Sequence, residues 1–209
     1  PPRSPLSGKR AHSTQAYFID DLDEYADCLQ DILQAAKAQG LPVDAIVKES
    51  APAQFKVNLH HVADPLKACD QAILLKRLIK NVAYDHEMDT TFMAKPYPDQ
   101  AGNGLHVHLS LVEKHSGKNL FASDDPLRCE ALRHAIGGVL ETLPASMAFL
   151  CPNINSYRRF GAQFNVPNAP GWGLDNRTVA LRVPTENSHS ARLEHRVAGA
   201  DANPYLTLA

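Results

Sequence analysis

Three short segments alternate strictly between apolar and polar residues, and they constrain the fold more than any other feature of the chain. In Gln54–Val62, Phe55, Val57 and Leu59 alternate with Lys56, Asn58 and His60. In Leu105–Leu111, Leu105, Val107, Leu109 and Leu111 face away from His106, His108 and Ser110. In Arg192–Val197, Arg192, Glu194 and Arg196 share one side. A period of two means strands, each with one wet face and one buried face.

Between these strands lie helical patterns with punctuation at their ends. Asp20 and Asp21 precede Leu22, Tyr25, Ala26, Leu29, Ile32, Leu33 and Ala36, and Gly40 closes that run. Asp64-Pro65 is a cap followed by proline at the first helical position, opening a helix through Leu66, Cys69, Ile73, Leu74, Leu78 and Val82. Asp125-Pro126 opens another through Leu127, Leu132, Ile136, Val139, Leu140 and Leu143. Thr90–Ala94 and Thr178–Val183 read as strands, Lys95–Gly104 as a Pro/Gly loop, and Cys151–Asp175 as a loop without period. Helices and strands alternate, yet two strands are joined by only a short link. The expectation is an α+β domain: a curved antiparallel sheet with helices packed on one side.

With 209 residues, 44% hydrophobic and 21% charged, the chain is long enough for one full domain or most of a larger one. Apolar residues spread along its whole length exclude low-complexity disorder. No stretch approaches the ~18 apolar residues of a membrane span. A net charge of −2 gives no general affinity for nucleic acid. That average hides an asymmetry, since six of the eleven arginines fall between Arg158 and Arg196. Cys28, Cys69, Cys129 and Cys151 are far apart and form no C-x-x-C, so they read as buried small hydrophobes in a reducing compartment. The chain opens on Pro1-Pro2-Arg3 without a signal segment and stops inside what reads as the first turn of a helix, at Pro204–Ala209. It is therefore read as part of a longer cytoplasmic protein.

The wet faces carry the chemistry. Glu49 and Lys56 belong to the first strand region, His106 and His108 to the second, and Arg192, Glu194 and Arg196 to the last. Side by side, they would form a basin of carboxylate, imidazole and guanidinium. Carboxylate with a single histidine suits Mg²⁺ or Mn²⁺ better than a closed zinc site, and arginines around such an ion suit phosphate and carboxylate. Each element alone is also compatible with a solvated face bearing cross-strand ion pairs. Gly102-Asn103-Gly104 precedes a strand, so it is neither a P-loop nor a dinucleotide fingerprint.

The wording of these segments is more specific than their spacing. Lys95-Pro96 with Gly102-Asn103-Gly104-Leu105-His106-Val107-His108-Leu109-Ser110-Leu111 resembles the ATP-site signature of the glutamine synthetase family. Asn155-Ser156-Tyr157-Arg158-Arg159, Asn176-Arg177-Thr178-Val179-Ala180-Leu181-Arg182-Val183-Pro184, Arg192-Leu193-Glu194-His195-Arg196 and Asp201-Ala202-Asn203-Pro204-Tyr205 follow in the family's order. The resemblance runs from about Tyr17 to the last residue. Arg158-Arg159-Phe160 and Gly171-Trp172-Gly173 with Asn176-Arg177 most resemble the γ-glutamyl-amine and γ-glutamylpolyamine ligases of that family.

This resemblance implies an ATP-dependent ligase that joins the γ-carboxylate of glutamate to an amine through a γ-glutamyl phosphate, with Mg²⁺ or Mn²⁺. It implies Glu49 for a first metal site, and His106 and Glu194 for a second. Gly102, Arg159 and Arg196 match glutamate-holding positions, and His108, Ser110 and Arg192 match ATP contacts. Arg177 and Arg182 match the arginines that clamp the transferring phosphoryl group. It further implies a homo-oligomeric ring and a longer chain with an N-terminal β-grasp domain absent here. Residues 1–209 are then part of the catalytic domain, truncated at both ends and inactive alone.

Two departures bear on function. Asn165 stands where ammonia-using members carry a glutamate, which favours a bulkier amine over ammonia, with Phe164 and Trp172 as candidates to line its pocket. Lys56 stands where the family places a second metal-binding carboxylate. An ammonium ~4 Å from a divalent ion costs roughly 8 kcal/mol at an effective dielectric of ~20, twice the unit-charge figure. Either the metal is lost or displaced, or Lys56 turns away or is deprotonated. The alternatives to an amine ligase are an ammonia-using glutamine synthetase and a catalytically inactive structural or regulatory homologue.

Overall fold

Local start and stop signals set where one helix begins and where another ends. In the computed structural model, which describes residues 2–11, 14–161, 165–185 and 190–209, Asp64 accepts hydrogen bonds from the Leu66 and Lys67 amides and starts α3, Pro65–Asp85. The run expected after Asp20 is divided, because the chain turns at Glu24–Tyr25. It forms α1, Ile19–Asp23, and α2, Ala26–Ala38. Gly40, at φ +68°, ends α2 with the Leu41 amide donating to Ala36 O and its own amide to Lys37 O. That left-handed residue is where glycine carries no Cβ penalty.

The chain divides into two compact units, one built mainly on residues 1–92 and the other mainly on residues 103–207. The first holds α1, α2, α3 and an antiparallel pair, β1 (Val43–Lys48) with β2 (Phe55–Leu59), in a register that sets Val47 opposite Lys56 and Lys48 opposite Phe55. Its core joins Cys28, Ile32 and Ala36 of α2 to Leu75 and Leu78 of α3, with Ile46, Val57 and Leu59 packed on them.

The second unit holds a four-stranded open sheet in the order β3 (Val107–Leu109), β6 (Leu193–His195), β5 (Val179–Val183) and β4 (Ala169–Leu174). β3, β6 and β5 are antiparallel, and β4 joins β5 in parallel. Its helices are α4 (Glu130–Leu150), α5 (Ile154–Tyr157) and, at the chain's end, α6 (Pro204–Leu208). Leu132, Ile136, Leu143 and Leu150 of α4 pack with Ala180, Leu181, Val183 and Leu193, so one sheet face is core. Alternation then turns Arg182 and Glu194 to the other face.

The α+β class with helices on one face of an open sheet agrees with the sequence reading. The sheet, however, is mixed and not purely antiparallel, β1 and α5 are not among the expected elements, and further local expectations differ. Thr90–Ala94 forms no ladder, and its backbone is used singly, as where Ala94 O accepts from the Asn103 amide. β4 lies inside the segment read as loop, because Ala169-Pro170-Gly171-Trp172-Gly173-Leu174 hides an edge strand behind Pro and Gly. Asp125-Pro126 opens a single 3₁₀ turn, Pro126–Arg128, before α4 begins at Glu130. The four cysteines are buried and free, as expected. No helix among the described residues is long and apolar enough to cross a membrane.

Candidate active site

Register assembles the site from β3, β5 and β6. His108 pairs with Glu194 across β3–β6, and Glu194 pairs with Arg182 across β6–β5. Glu194 is 3% exposed and sits at the centre. Its Oε1 accepts from Arg196 Nη1 at 2.6 Å and lies 3.2 Å from His106 Nδ1, and its Oε2 accepts from Arg182 Nη1 at 2.8 Å. Burial alone would raise the Glu194 carboxyl, but hydrogen bonds from His106 and Arg182 and the Arg196 charge outweigh it and hold it well below the carboxylate range.

Each arginine around Glu194 has a second hold. Arg182 Nη2 donates to Asp175 Oδ1 at 2.7 Å, and Asp175 also accepts from the Thr185 hydroxyl. The bonds to Glu194 and Asp175 raise the Arg182 pKa against the opposing effect of burial. Arg196 Nη2 donates to Asn165 O at 3.0 Å, at a residue whose φ of +51° asparagine tolerates better than most. Arg182 Nε and Arg196 Nε are buried without a hydrogen-bond partner among the described residues. Buried N–H groups left so are costly, and an anionic oxygen is what satisfies them.

Burial pushes the pKa of His106 down, and that of His108 down to about 4. Both are neutral near pH 7, so His106 Nδ1 acts as a hydrogen-bond donor to Glu194 and its Nε2 keeps a lone pair. Arg192 Nε donates to His108 Nδ1 at 3.1 Å, and Ser110 Oγ donates to Ala191 O at 2.9 Å. The three expected nucleotide contacts, His108, Ser110 and Arg192, thus lie on β3 and its continuation and beside β6. A Cβ on Gly104 would lie 3.1 Å from His106 Nε2 and 3.3 Å from Arg159 Nη2, so glycine there lets imidazole and guanidinium come together.

Arg159 is placed differently from a free substrate-binding arginine. It is 2% exposed and donates from Nη1 to Val197 O and from Nη2 to Arg196 O, each at 2.6 Å. It clamps the backbone that carries Arg196, and burial pulls its pKa down to about 10. Arg177 is exposed between β4 and β5, and its charge helps depress the pKa of Arg196, which burial lowers first.

The first unit holds Glu49, Lys56 and Gly102. β2 pairs only with β1, so the wet face bearing Lys56 is not part of the four-stranded sheet, contrary to the three-strand basin expected. Lys56 Nζ lies 3.6 Å from Glu49 Oε1. Gln54 Nε2 donates to Gly102 O at 2.9 Å, and Gln54 Oε1 accepts from the Ala51 amide. Phe164 lies outside the described residues, and Trp172 stands half-exposed on β4.

Donor chemistry separates the two expected metal positions. His106 and Glu194 fit a divalent ion as one imidazole just before β3 and one carboxylate on β6, and no group of three or more metal-capable side chains forms among the described residues. Glu49 does not fit as it stands, because the group facing it is an ammonium, which has no lone pair to offer.

An open α+β sheet whose wet face gathers arginines, two neutral histidines and one buried carboxylate has the donor chemistry that suits anionic phosphoryl or carboxylate groups. The chain belongs to the glutamine synthetase family, matching its catalytic domain over residues 1–209. Gamma-glutamylputrescine synthetase PuuA of Escherichia coli K12 is 45% identical over 209 residues, all of this chain and 44% of that protein. Glutamate–isopropylamine ligase of a Pseudomonas species is 36% identical over 186 residues, 88% of this chain and 40% of its own. Glutamine synthetase of Pyrococcus abyssi is 35% identical over 194 residues, 92% of this chain and 43% of its own. A solved structure described as a GmaS/ADP complex superposes with a TM-score of 0.83 at 30% identity, covering 99% of this chain and 49% of that one. The chain spans less than half the length of these curated relatives.

Proposed function

We propose that the protein carrying this chain is a ligase that uses ATP to join the γ-carboxylate of glutamate to an organic amine. The observation that carries this reading is the pair Arg182 and Arg196, which converge on Glu194 and each keep a buried Nε–H without a hydrogen-bond partner among the described residues. In the first step a γ-carboxylate oxygen attacks the γ-phosphorus of ATP and ADP leaves. In the second the amine nitrogen attacks the γ-carbon, loses a proton, and expels phosphate. The barrier is the approach of one anion to another, which pre-placed positive charge lowers.

Arg177 and Arg182 hold the transferring phosphoryl group, and Asp175 keeps Arg182 aimed. Arg196 and Gly102 hold glutamate, and Arg159 acts on that site through the Arg196 backbone. His108, Ser110 and Arg192 contact ATP. A Mg²⁺ or Mn²⁺ ion held by His106 and Glu194 would neutralise phosphoryl charge when bound.

An organic amine is favoured over ammonium by Asn165, neutral where an ammonia-binding acid would stand, and by the names of the two amine-ligase relatives. The protein then works in the cytoplasm as a homo-oligomeric ring, with polyamines or monoamines as co-substrates. The test is product mass with glutamate, ATP and Mg²⁺ across ammonium, putrescine, spermidine and aromatic monoamines. A γ-glutamyl amide of an organic amine, with little glutamine, is expected. Glutamine as the main product, or no amide with any amine, would overturn the reading.

A further inference from the structure

We propose that the Lys56 ammonium is the built-in cation of the Glu49 carboxylate, so that this position holds no divalent ion. The inference rests on the ligase reading above and concerns the metal content of that same enzyme. Its basis is register. β1 and β2 pair Val47 with Lys56, and beyond β1 the Glu49 amide donates to Gln54 O at 2.8 Å. Glu49 and Lys56 are therefore diagonal neighbours on one face of the ladder, within reach of a long side chain. The 3.6 Å contact between Oε1 and Nζ follows from that placement.

The backbone under Glu49 is held unusually well. Lys48, 0% exposed, donates from Nζ to the carbonyls of Glu49 and Ala51 and lies 3.3 Å from Asp21 Oδ2. Gln54 closes the same loop through the Ala51 amide and ties it to Gly102 O. Both partners of the Glu49–Lys56 pair are partly exposed, 30% and 41% at the side chain. An ion pair so exposed contributes little to stability, so folding energy is a poor explanation for a lysine here. Its effect is on charge. A hard divalent ion needs oxygen donors around it, whereas an ammonium has three donors and no acceptor. Lys56 supplies one positive charge to Glu49 that cannot dissociate, in place of an ion that can.

The experiment is a Mn²⁺ titration followed by electron paramagnetic resonance on the whole protein that contains this chain. It compares wild type, Lys56→Glu and Glu49→Gln, each checked by thermal melting. Lys56→Glu gains one bound Mn²⁺ per chain relative to wild type, because a ligand replaces the ammonium. Glu49→Gln leaves the wild-type count unchanged, and this variant decides the matter if Lys56→Glu does not fold. A wild type that already binds as many ions as Lys56→Glu, or that loses one in Glu49→Gln, overturns the assignment. If such a wild type still releases ADP with an amine, the ligase reading survives; a folded wild type that binds no Mn²⁺ and releases no ADP overturns that reading instead.

Discussion

Glu194 shows how much one residue can organise. Its carboxylate faces Arg182, Arg196 and His106 at 3% exposure, so removing its charge leaves two guanidinium groups without their shared anion. Glu194→Gln should lower unfolding free energy by about 3 kcal/mol in urea titrations. Because the folded pKa is depressed, the stability Glu194 contributes is fully present above the unfolded carboxylate value and is lost as pH falls below it. The variant should therefore lack part of the acid-side loss. His195 follows the opposite ionisation logic to the same pH direction. Burial, with the charges of His106 and Arg159, pushes its pKa down to about 4, and its Nδ1 is buried without a hydrogen-bond partner among the described residues. The unfolded chain binds a proton there at higher pH than the folded one, so stability falls as pH drops from ~6.5 toward 4. His195→Phe should be more stable than wild type, with an advantage at pH 5 at least ~1 kcal/mol larger than at pH 7.5 in urea titrations. His195 takes no role in the sequence reading, although its place between Leu193 and Val197 sets an imidazole on the apolar side of its strand. Asp175 takes none either, since an acid beside Asn176 in a turn segment gives no sign that it will hold Arg182.

At the scale of elements, periodicity found β2, β3 and β6 and missed β1 and β4. β6 alternates cleanly because its Leu193 packs with α4 while Glu194 faces the site. β3 keeps the alternation although its Leu109 is exposed, and the two strands carry Glu194 and His108 in register. β4 carries Pro170 and two glycines, so neither alternation nor β-propensity marks it, although it ladders with β5. Which wet faces share a sheet is a matter of pairing, on which periodicity is silent. Lys56 and His108 both follow period-two rules, yet β2 joins β1 alone. Of the helix starts read from the sequence, Asp64-Pro65 alone opens the expected α-helix, because a side-chain cap and a following proline act locally there. Asp64 accepts from the Leu66 and Lys67 amides, and Asp64→Ala should cost about 1 kcal/mol, measured by thermal melting together with protection of the first turn of α3 in hydrogen exchange.

For the molecule as a whole, each of the two units carries its own set of the residues expected from the sequence. The first holds Glu49 on a loop fastened by Lys48 and Gln54, Lys56 on β2, and Gly102, whose carbonyl accepts from Gln54, and the second holds the arginine-rich face around Glu194. The chain spans less than half of its curated relatives, so activity belongs to the whole protein that contains it. In that protein Arg182→Lys should lower kcat by at least ~10-fold with a smaller change in KM for glutamate, because a point charge replaces the fork that holds Glu194 and Asp175 and sets the aim of the guanidinium proposed to meet the phosphoryl group. Steady-state ADP release would check it. The central claim is that the γ-carboxylate itself takes the phosphoryl group. Glutamate labelled with ¹⁸O in that carboxylate, incubated with ATP, Mg²⁺ and putrescine, tests it most directly through the mass of the phosphate released. The account predicts one ¹⁸O atom in each phosphate; unlabelled phosphate would contradict it, showing that water and not glutamate had attacked ATP.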